Sequence, residues 1–214
     1  TLLSFVPKLT DMPGGYQFEE TASSVNGIAG IASFYRFGKD IRGKKLFDRT
    51  DQYGRTWTDQ DHIIVSLYAI YLNHQINDSY PEWSPEKFRA SRLTQGGSGH
   101  SVNPYEGLPG GVIDEYTGTE KDGSLYLFVR IFFWKSRYYN GDIYIQYNVG
   151  AYHDATQPSF EDRVSMAKAF CRPQVERLAK LMYSRMPEGP GSSEKGIFPS
   201  PLSTESSQEQ LSPE

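Results

Sequence analysis

Alternation of apolar and polar residues predicts a β-hairpin near the start of the chain. Residues Tyr16–Glu20 alternate, and the run Ile28–Phe37 keeps apolar residues on one parity. Asn26-Gly27 lies between the two runs, and this dipeptide accepts the positive φ angles of a two-residue turn. We therefore expect a hairpin over residues 16–37. The polar stretch 38–61 fits either a short helix or a second, irregular hairpin.

The next two elements are a strand and a helix. His62–Leu72 lacks Asp, Glu, Lys and Arg and is rich in β-branched and aromatic residues, which predicts a central strand. Ser84 offers an N-cap hydroxyl before a proline and an acid, so a helix should begin there and end near Leu93. Gln95–Gly111 holds six glycines and two prolines. We expect a loop there, either functional or mobile.

Ser124–Tyr152 is the clearest strand pair in the sequence. With a turn at Asn140-Gly141, Trp134 would lie opposite Tyr147 and Phe132 opposite Val149. The other side of the first strand is also apolar, from Leu125 to Phe133. A strand that is apolar on both sides must be covered on both, so this pair should lie inside the sheet.

A closing helix supplies one cover. Its apolar residues recur at intervals of three and four and form one stripe. The stripe consists of Phe160, Val164, Ala167, Cys171, Val175, Leu178 and Met182. Ser159 and Asp162 offer a capping-box start. Pro173 either kinks the helix or begins a second one, and we expect a bend near Arg172.

Residues 187–214 are rich in Ser, Pro, Glu and Gly and poor in apolar residues, so we expect this acidic tail to be disordered when free. The fold class predicted is α+β, with a mostly antiparallel sheet sandwiched by helices and a C-terminal helix. Residues 1–186 would form the single domain.

Charge and cysteine content exclude several classes of protein. The net charge is −4, and the tail accounts for all of it, because five Glu there face Lys195 alone. The neutral body lacks the basic surface of a nucleic-acid-binding protein. No apolar run is long enough to span a membrane. Cys171 is the only cysteine, so there is no internal disulfide, and its place on the helical stripe predicts a buried, inert thiol.

Catalytic and ligand-binding signals are weak. The four histidines have no metal-ligand spacing, and the acids before His62 fit a turn better than a cation site, so we expect no metal and no cofactor. Ser98, His100 and Asp114 could form a hydrolase site, although Gly-Gly-Ser-Gly-His is not a nucleophile elbow. The candidate binding residues are Trp83, beside the helix start, and His100, Tyr105 and Glu106 in the glycine-rich loop.

The order of elements resembles the PsbP-type α/β/α sandwich of thylakoid-lumen and bacterial extracytoplasmic proteins. The resemblance covers about residues 16–186 and depends on Ser84–Phe88, on Glu115–Gly118 and on the Ser124–Tyr152 hairpin before the closing helix. It implies a fold and a non-catalytic accessory role, and no site residues, because fold does not determine function.

The sequence therefore favours a non-catalytic, extracytoplasmic binding or accessory subunit that docks on a larger protein partner or complex. The alternative is a small hydrolase that uses His100 in the glycine-rich loop. In a third interpretation the tail itself is a peptide that folds on a partner. The sequence leaves open whether loop 95–111 and the tail are functional.

Overall fold

The computed structural model describes residues 4–12, 16–23, 29–36, 48–50, 56–58, 62–71, 84–119, 125–136, 139–149 and 159–188. Within these ranges the chain forms a short 3-10 turn at Leu9–Asp11, nine strands and two α-helices. The strands are β1 Gln17–Ser23, β2 Ala29–Arg36, β3 Asp48–Thr50, β4 Thr56–Thr58, β5 His62–Tyr71, β6 His100–Pro104, β7 Val112–Thr119, β8 Leu125–Ser136 and β9 Tyr139–Val149. The helices are α1 Pro85–Leu93 and α2 Phe160–Arg185.

Seven strands form one antiparallel sheet in the order β1-β2-β5-β9-β8-β7-β6. This confirms the α+β class, the first hairpin and the interior position of β5. β3 and β4 pair with each other in a separate antiparallel ladder, which agrees with the hairpin alternative for the described residues of the stretch 38–61. The predicted turn at Asn26-Gly27 and, apart from Pro187 and Glu188, the predicted tail lie outside the described residues.

The two helices pack on opposite faces of the sheet. Partner residues across β6, β7, β8 and β9 share parity along the described ladders, apart from one irregularity near Ser136. Odd-numbered residues of β7–β9 therefore face α2, and Ile131, Phe133 and Ile143 belong to the main core with it. Even-numbered residues face α1, against which Phe132 packs. The predicted sandwich is confirmed in this part of the sheet.

The stripe of α2 is buried as predicted from Ala167 onward, whereas Val164 is half-buried and the side chain of Phe160 lies outside the described part. Ala167, Cys171, Val175, Leu178 and Met182 are each 0% exposed. Ser159 Oγ caps the helix by accepting the N–H of Asp162 at 3.1 Å. The helix continues through Pro173 as a single element, so the alternative of a second helix starting there is wrong.

The predicted register of the β8–β9 hairpin is wrong. Asn140 and Gly141 lie inside β9, and the connection between the strands falls at residues 137–138. Trp134 therefore pairs with Asn140, and Phe132 with Asp142. An odd shift in register moves every partner to the other face. The observed register unites the apolar residues of both strands on the face toward α2.

The predicted structureless loop 95–111 is also wrong in part. His100–Pro104 forms β6, which pairs with β7 at the end of the sheet. The composition concealed this strand, because a five-residue edge strand flanked by glycines has almost no apolar pattern of its own. The strand carries His100 onto the same sheet face as α1.

Candidate functional site

The even-numbered face of β6–β9 has two parts. At one end α1 closes the face over a small second core. Its buried residues are Phe88, Val112, Phe132 and Trp134. The helix begins at Pro85 because Ser84 Oγ accepts the N–H of Lys87 at 3.3 Å, as the sequence predicts. Beyond the reach of α1, the aromatic side chains on this face are half-buried or exposed, whereas the carboxylates of Asp114 and Asp142 are buried.

Five rings cluster on that part of the sheet, which we call the aromatic face. It consists of His100, Tyr116, Tyr126, Phe128 and Tyr144. The rings of His100 and Tyr116 lie 4.7 Å apart and nearly stacked, with an interplanar angle of 35°. The Phe128 and Tyr144 rings are 5.2 Å apart, and those of Tyr116 and Tyr126 are 6.0 Å apart. Offset and edge contacts of this kind stabilise aromatic clusters.

His100 is held in place by a buried carboxylate. Its Nδ1–H donates to Asp114 Oδ1 at 2.8 Å, and the two side chains are 30% and 11% exposed. The turn before β6 depends on Gly99, whose φ is +83°, and the His100 N–H closes this turn on the Gly97 carbonyl at 3.1 Å. Because Asp114 occupies Nδ1, the remaining ring nitrogen, Nε2, is the one that can bind another group.

An ion pair lies beside this contact. Arg130 is the cross-strand partner of Asp114, and it donates from Nε to Asp142 Oδ1 at 2.6 Å and from Nη2 to the other carboxylate oxygen. Burial raises the pKa of Asp142, and the bond from Arg130 works against that rise. Burial is the largest single effect on Arg130 and would lower its pKa, but the hydrogen bond to Asp142 and the attraction of the nearby negative charges together outweigh it, so the pKa is raised. The two charges therefore neutralise each other.

A second arginine completes the charge pattern. The Cζ atoms of Arg92 and Arg130 lie 4.6 and 4.2 Å from the centroid of the Phe132 ring, a cation–π arrangement. Arg92 Nη1 also donates to Gln95 Oε1 at 2.9 Å. Burial lowers the pKa of Arg92, and the nearby Asp142 charge opposes this effect. The charged groups on this face are thus tied to one another and to the Phe132 ring.

The structure places the predicted hydrolase residues only partly together. His100 and Asp114 are in contact, as a base and its orienting carboxylate would be. Ser98 is exposed and makes no hydrogen bond to His100 within the described part of the chain. The geometry provides two members of a triad without an engaged nucleophile.

The predicted binding residues separate into different environments. Glu106 is exposed and accepts from Arg89 Nη1 at 3.0 Å, which ties the loop to α1. Tyr105 is only 8% exposed and belongs to the main core, so it offers no surface to a ligand. Trp83 lies outside the described residues. Of the three that the structure describes, only His100 lies on the aromatic face.

Sequence reasoning missed most of this face. Tyr116, Phe128, Arg130 and Asp142 were not singled out, although all four are even-numbered residues of neighbouring strands. Their shared parity is a usable signal only with the correct hairpin register. The register error placed the even residues of β8 against the odd residues of β9, which hid the Arg130–Asp142 pair.

The described residues contain no group of three or more His, Cys, Asp and Glu side chains placed to hold a metal ion. Among the helices in that part of the chain, none combines the length and apolarity that crossing a bilayer requires. Comparison with known proteins found no matching family model, curated protein or solved structure.

Proposed function

We propose that this protein is a non-catalytic binding or accessory subunit that docks on a larger protein partner or complex through the aromatic face. The observation that carries the proposal is the cluster of His100 and four aromatic rings. It lies on a sheet face that α1, among the described elements, covers only at one end.

The chemistry of the face favours a protein surface as the occupant. Tyrosine rings combine a large apolar area with a polar hydroxyl, which makes them frequent contributors to binding energy at interfaces. The charges of Arg130 and Asp142 are already paired within the sheet. A nucleic acid would need open positive charge, and the neutral body does not provide it.

The compartment belongs to the same proposal. Following the resemblance to PsbP-type sandwiches, we place the docking outside the cytoplasm, in a periplasm, a lumen or a secreted setting. Fractionation of native cells, with the endogenous protein detected by antibody, tests this placement, and recovery in the cytoplasm alone would refute it.

Affinity purification from native cells tests the docking surface. The double variant His100→Ala/Tyr116→Ala removes two stacked rings, and the control Lys168→Ala/Lys180→Ala changes two exposed positions on α2. We expect a partner that co-purifies with the parent and the control to fall at least about tenfold with the aromatic-face variant, the effect of losing roughly 1.4 kcal/mol of binding energy. Equal recovery with both variants, each folded by circular dichroism, would contradict the proposal.

The His100–Asp114 contact supports a second candidate function. A histidine oriented by a buried carboxylate can act as a general base, and Nε2 is the nitrogen free to do so. The parent and His100→Ala should be assayed on a panel of ester and phosphoester substrates. Robust turnover by the parent that disappears in the variant would favour a hydrolase over a docking subunit.

A further inference from the structure

Among the residues that the structure describes, the outer strand of the sheet has an open edge. β6 pairs with β7 on one side and ends the strand order. Four of its five residues are exposed. From Thr94 to Tyr105 the sequence contains no Asp, Glu, Lys or Arg. Charged residues and prolines commonly protect edge strands from pairing, and on β6 only Pro104 is a residue of these types.

The backbone hydrogen bonds show which groups point outward. Tyr105 N–H donates to Gly111 O at 3.0 Å, one step beyond the Pro104–Val112 pair. Antiparallel ladders bond alternate residues, so Ser101 and Asn103 also bond to β7. The backbone groups of the even residues of β6 consequently point away from the sheet.

These outward groups are unequal in number. His100 contributes only its carbonyl, because its N–H is bonded to Gly97 O. Val102 contributes both its N–H and its carbonyl. Pro104 contributes only its carbonyl, because proline has no N–H. The edge thus presents three acceptors and a single donor.

That inequality argues against pairing with a second copy of the chain. Each copy would bring one outward donor, the N–H of Val102, so two β6 edges could form at most two hydrogen bonds in any register. A foreign extended segment with free N–H groups on alternate residues could form four. The edge is therefore better matched to another protein than to itself.

We propose that β6 accepts an extended segment of a partner protein as an eighth strand of the sheet. The segment supplies three N–H groups on alternate residues and carries no proline at those positions. Strand addition of this kind takes affinity from backbone hydrogen bonds and specificity from alternate side chains. The inference rests on the proposed function and names the kind of partner that would dock there.

The sheet face that carries the even-numbered residues of β6 also indicates one side chain that the partner segment should have. Val102 packs with Leu93 against the second core. A residue beside Val102 on the added strand would extend this apolar cluster, so the segment should carry an apolar side chain there. Binding should be nearly insensitive to salt, because residues 94–105 carry no Asp, Glu, Lys or Arg.

A phage library of random linear peptides, selected on the immobilised full chain, tests the proposal without a known partner. The selected peptides, made synthetically, should bind Val102→Pro at least tenfold more weakly than the parent. They should bind Lys168→Ala, on the exposed side of α2, like the parent. Val102→Thr keeps the N–H and should bind more tightly than Val102→Pro. Proline is tolerated at an edge position whose N–H faces solvent, so the variant should fold.

Amide exchange by NMR gives a second measurement on the unmodified chain. A bound peptide should slow exchange of the Val102 amide at least tenfold and leave the Ser101 and Asn103 amides unchanged, since those already bond to β7. If no peptide protects Val102, or if the peptides bind Val102→Pro as well as the parent, strand addition is refuted. Should Val102→Pro unfold, the protection result decides alone.

The two proposals can fail separately. Peptides whose binding depends on Val102, together with a native partner that is recovered equally with the aromatic-face variant and the parent, would support strand addition and refute docking through the rings. A native partner lost with the aromatic-face variant but retained by Val102→Pro would support docking and refute strand addition.

Discussion

Arg185, in the last turn of α2, holds the carboxylate of Asp11 by two hydrogen bonds across 174 residues of sequence. Nη1 donates to Oδ2 at 2.9 Å and Nη2 to Oδ1 at 3.0 Å. Arg177 adds a 2.7 Å bond to the Asp11 carbonyl. These contacts fasten the segment that carries the buried residues Val6 and Met12 to the end of the helix.

Asp11→Asn should make the protein less stable at neutral pH, and the difference from the parent should shrink as the pH falls below about 3.9. The bond from Arg185 lowers the pKa of Asp11, and burial only partly opposes it. A depressed carboxyl pKa gives stability that is complete above the unfolded pKa of about 3.9 and is lost as the pH falls through the folded value. Urea unfolding should show a loss of roughly 1–2 kcal/mol at pH 7.

The matched control is Glu106→Gln, since Glu106 is 78% exposed and pairs with Arg89 on the surface. Exposed pairs contribute about 0.2–1 kcal/mol, so its loss should be smaller. An Asp11→Asn variant as stable as the parent at pH 7 would show that the contact between Arg185 and Asp11 does not hold the N-terminal segment in place.

The pair formed by Arg130 and Asp142 should respond unequally to the loss of either member. Asp142 is 4% exposed and Arg130 31% exposed at the side chain. Arg130→Met leaves a buried carboxylate without its partner and should lower the free energy of unfolding by about 3–5 kcal/mol. Asp142→Asn leaves an arginine that water can reach, so its loss should be smaller. Denaturant unfolding of both variants measures the difference, and equal losses would contradict it.

Gly141→Ala should destabilise the sheet. Gly141 is the cross-strand partner of Phe133, and a Cβ atom at position 141 would collide with the Phe133 ring, which is fully buried. We expect a loss of about 1–3 kcal/mol, the usual cost of overpacking a core. Gly97→Ala is the control, because the nearest atom to its added Cβ would be 3.8 Å away. Thermal melting that ranks the two variants the other way would refute the explanation.

Cys171 should resist thiol reagents in the native protein. It is 0% exposed, and burial raises the pKa of its thiol to about 12, so the reactive thiolate is almost absent at pH 8. Ellman's reagent should react with one thiol per chain in guanidinium chloride and with almost none without it. Rapid reaction of the folded chain would show that the helix opens easily.

The failures of prediction have one physical cause in common. Asn140-Gly141 favours a turn locally, yet the glycine serves to admit the Phe133 ring across the strands. A local signal could not reveal that need, because the ring comes from the neighbouring strand. β6 was missed for a similar reason, since only pairing with β7 makes its glycine-flanked sequence a strand. Ser84, by contrast, caps α1 through its own backbone neighbourhood, so its prediction was confirmed.

The amino-acid sequence by itself determined the elements whose cause is local or periodic. These are the first hairpin, the strand at His62, the cap of α1 and the buried stripe of α2. Tertiary structure alone decided the register of β8 against β9, and with it the contact of Arg130 with Asp142. It also decided the pairing of β6 with β7, and with it the contact of His100 with Asp114. Such pairs join residues on different strands. Periodicity within one strand tells which face a residue occupies relative to its neighbours, but not which residue of the next strand it meets.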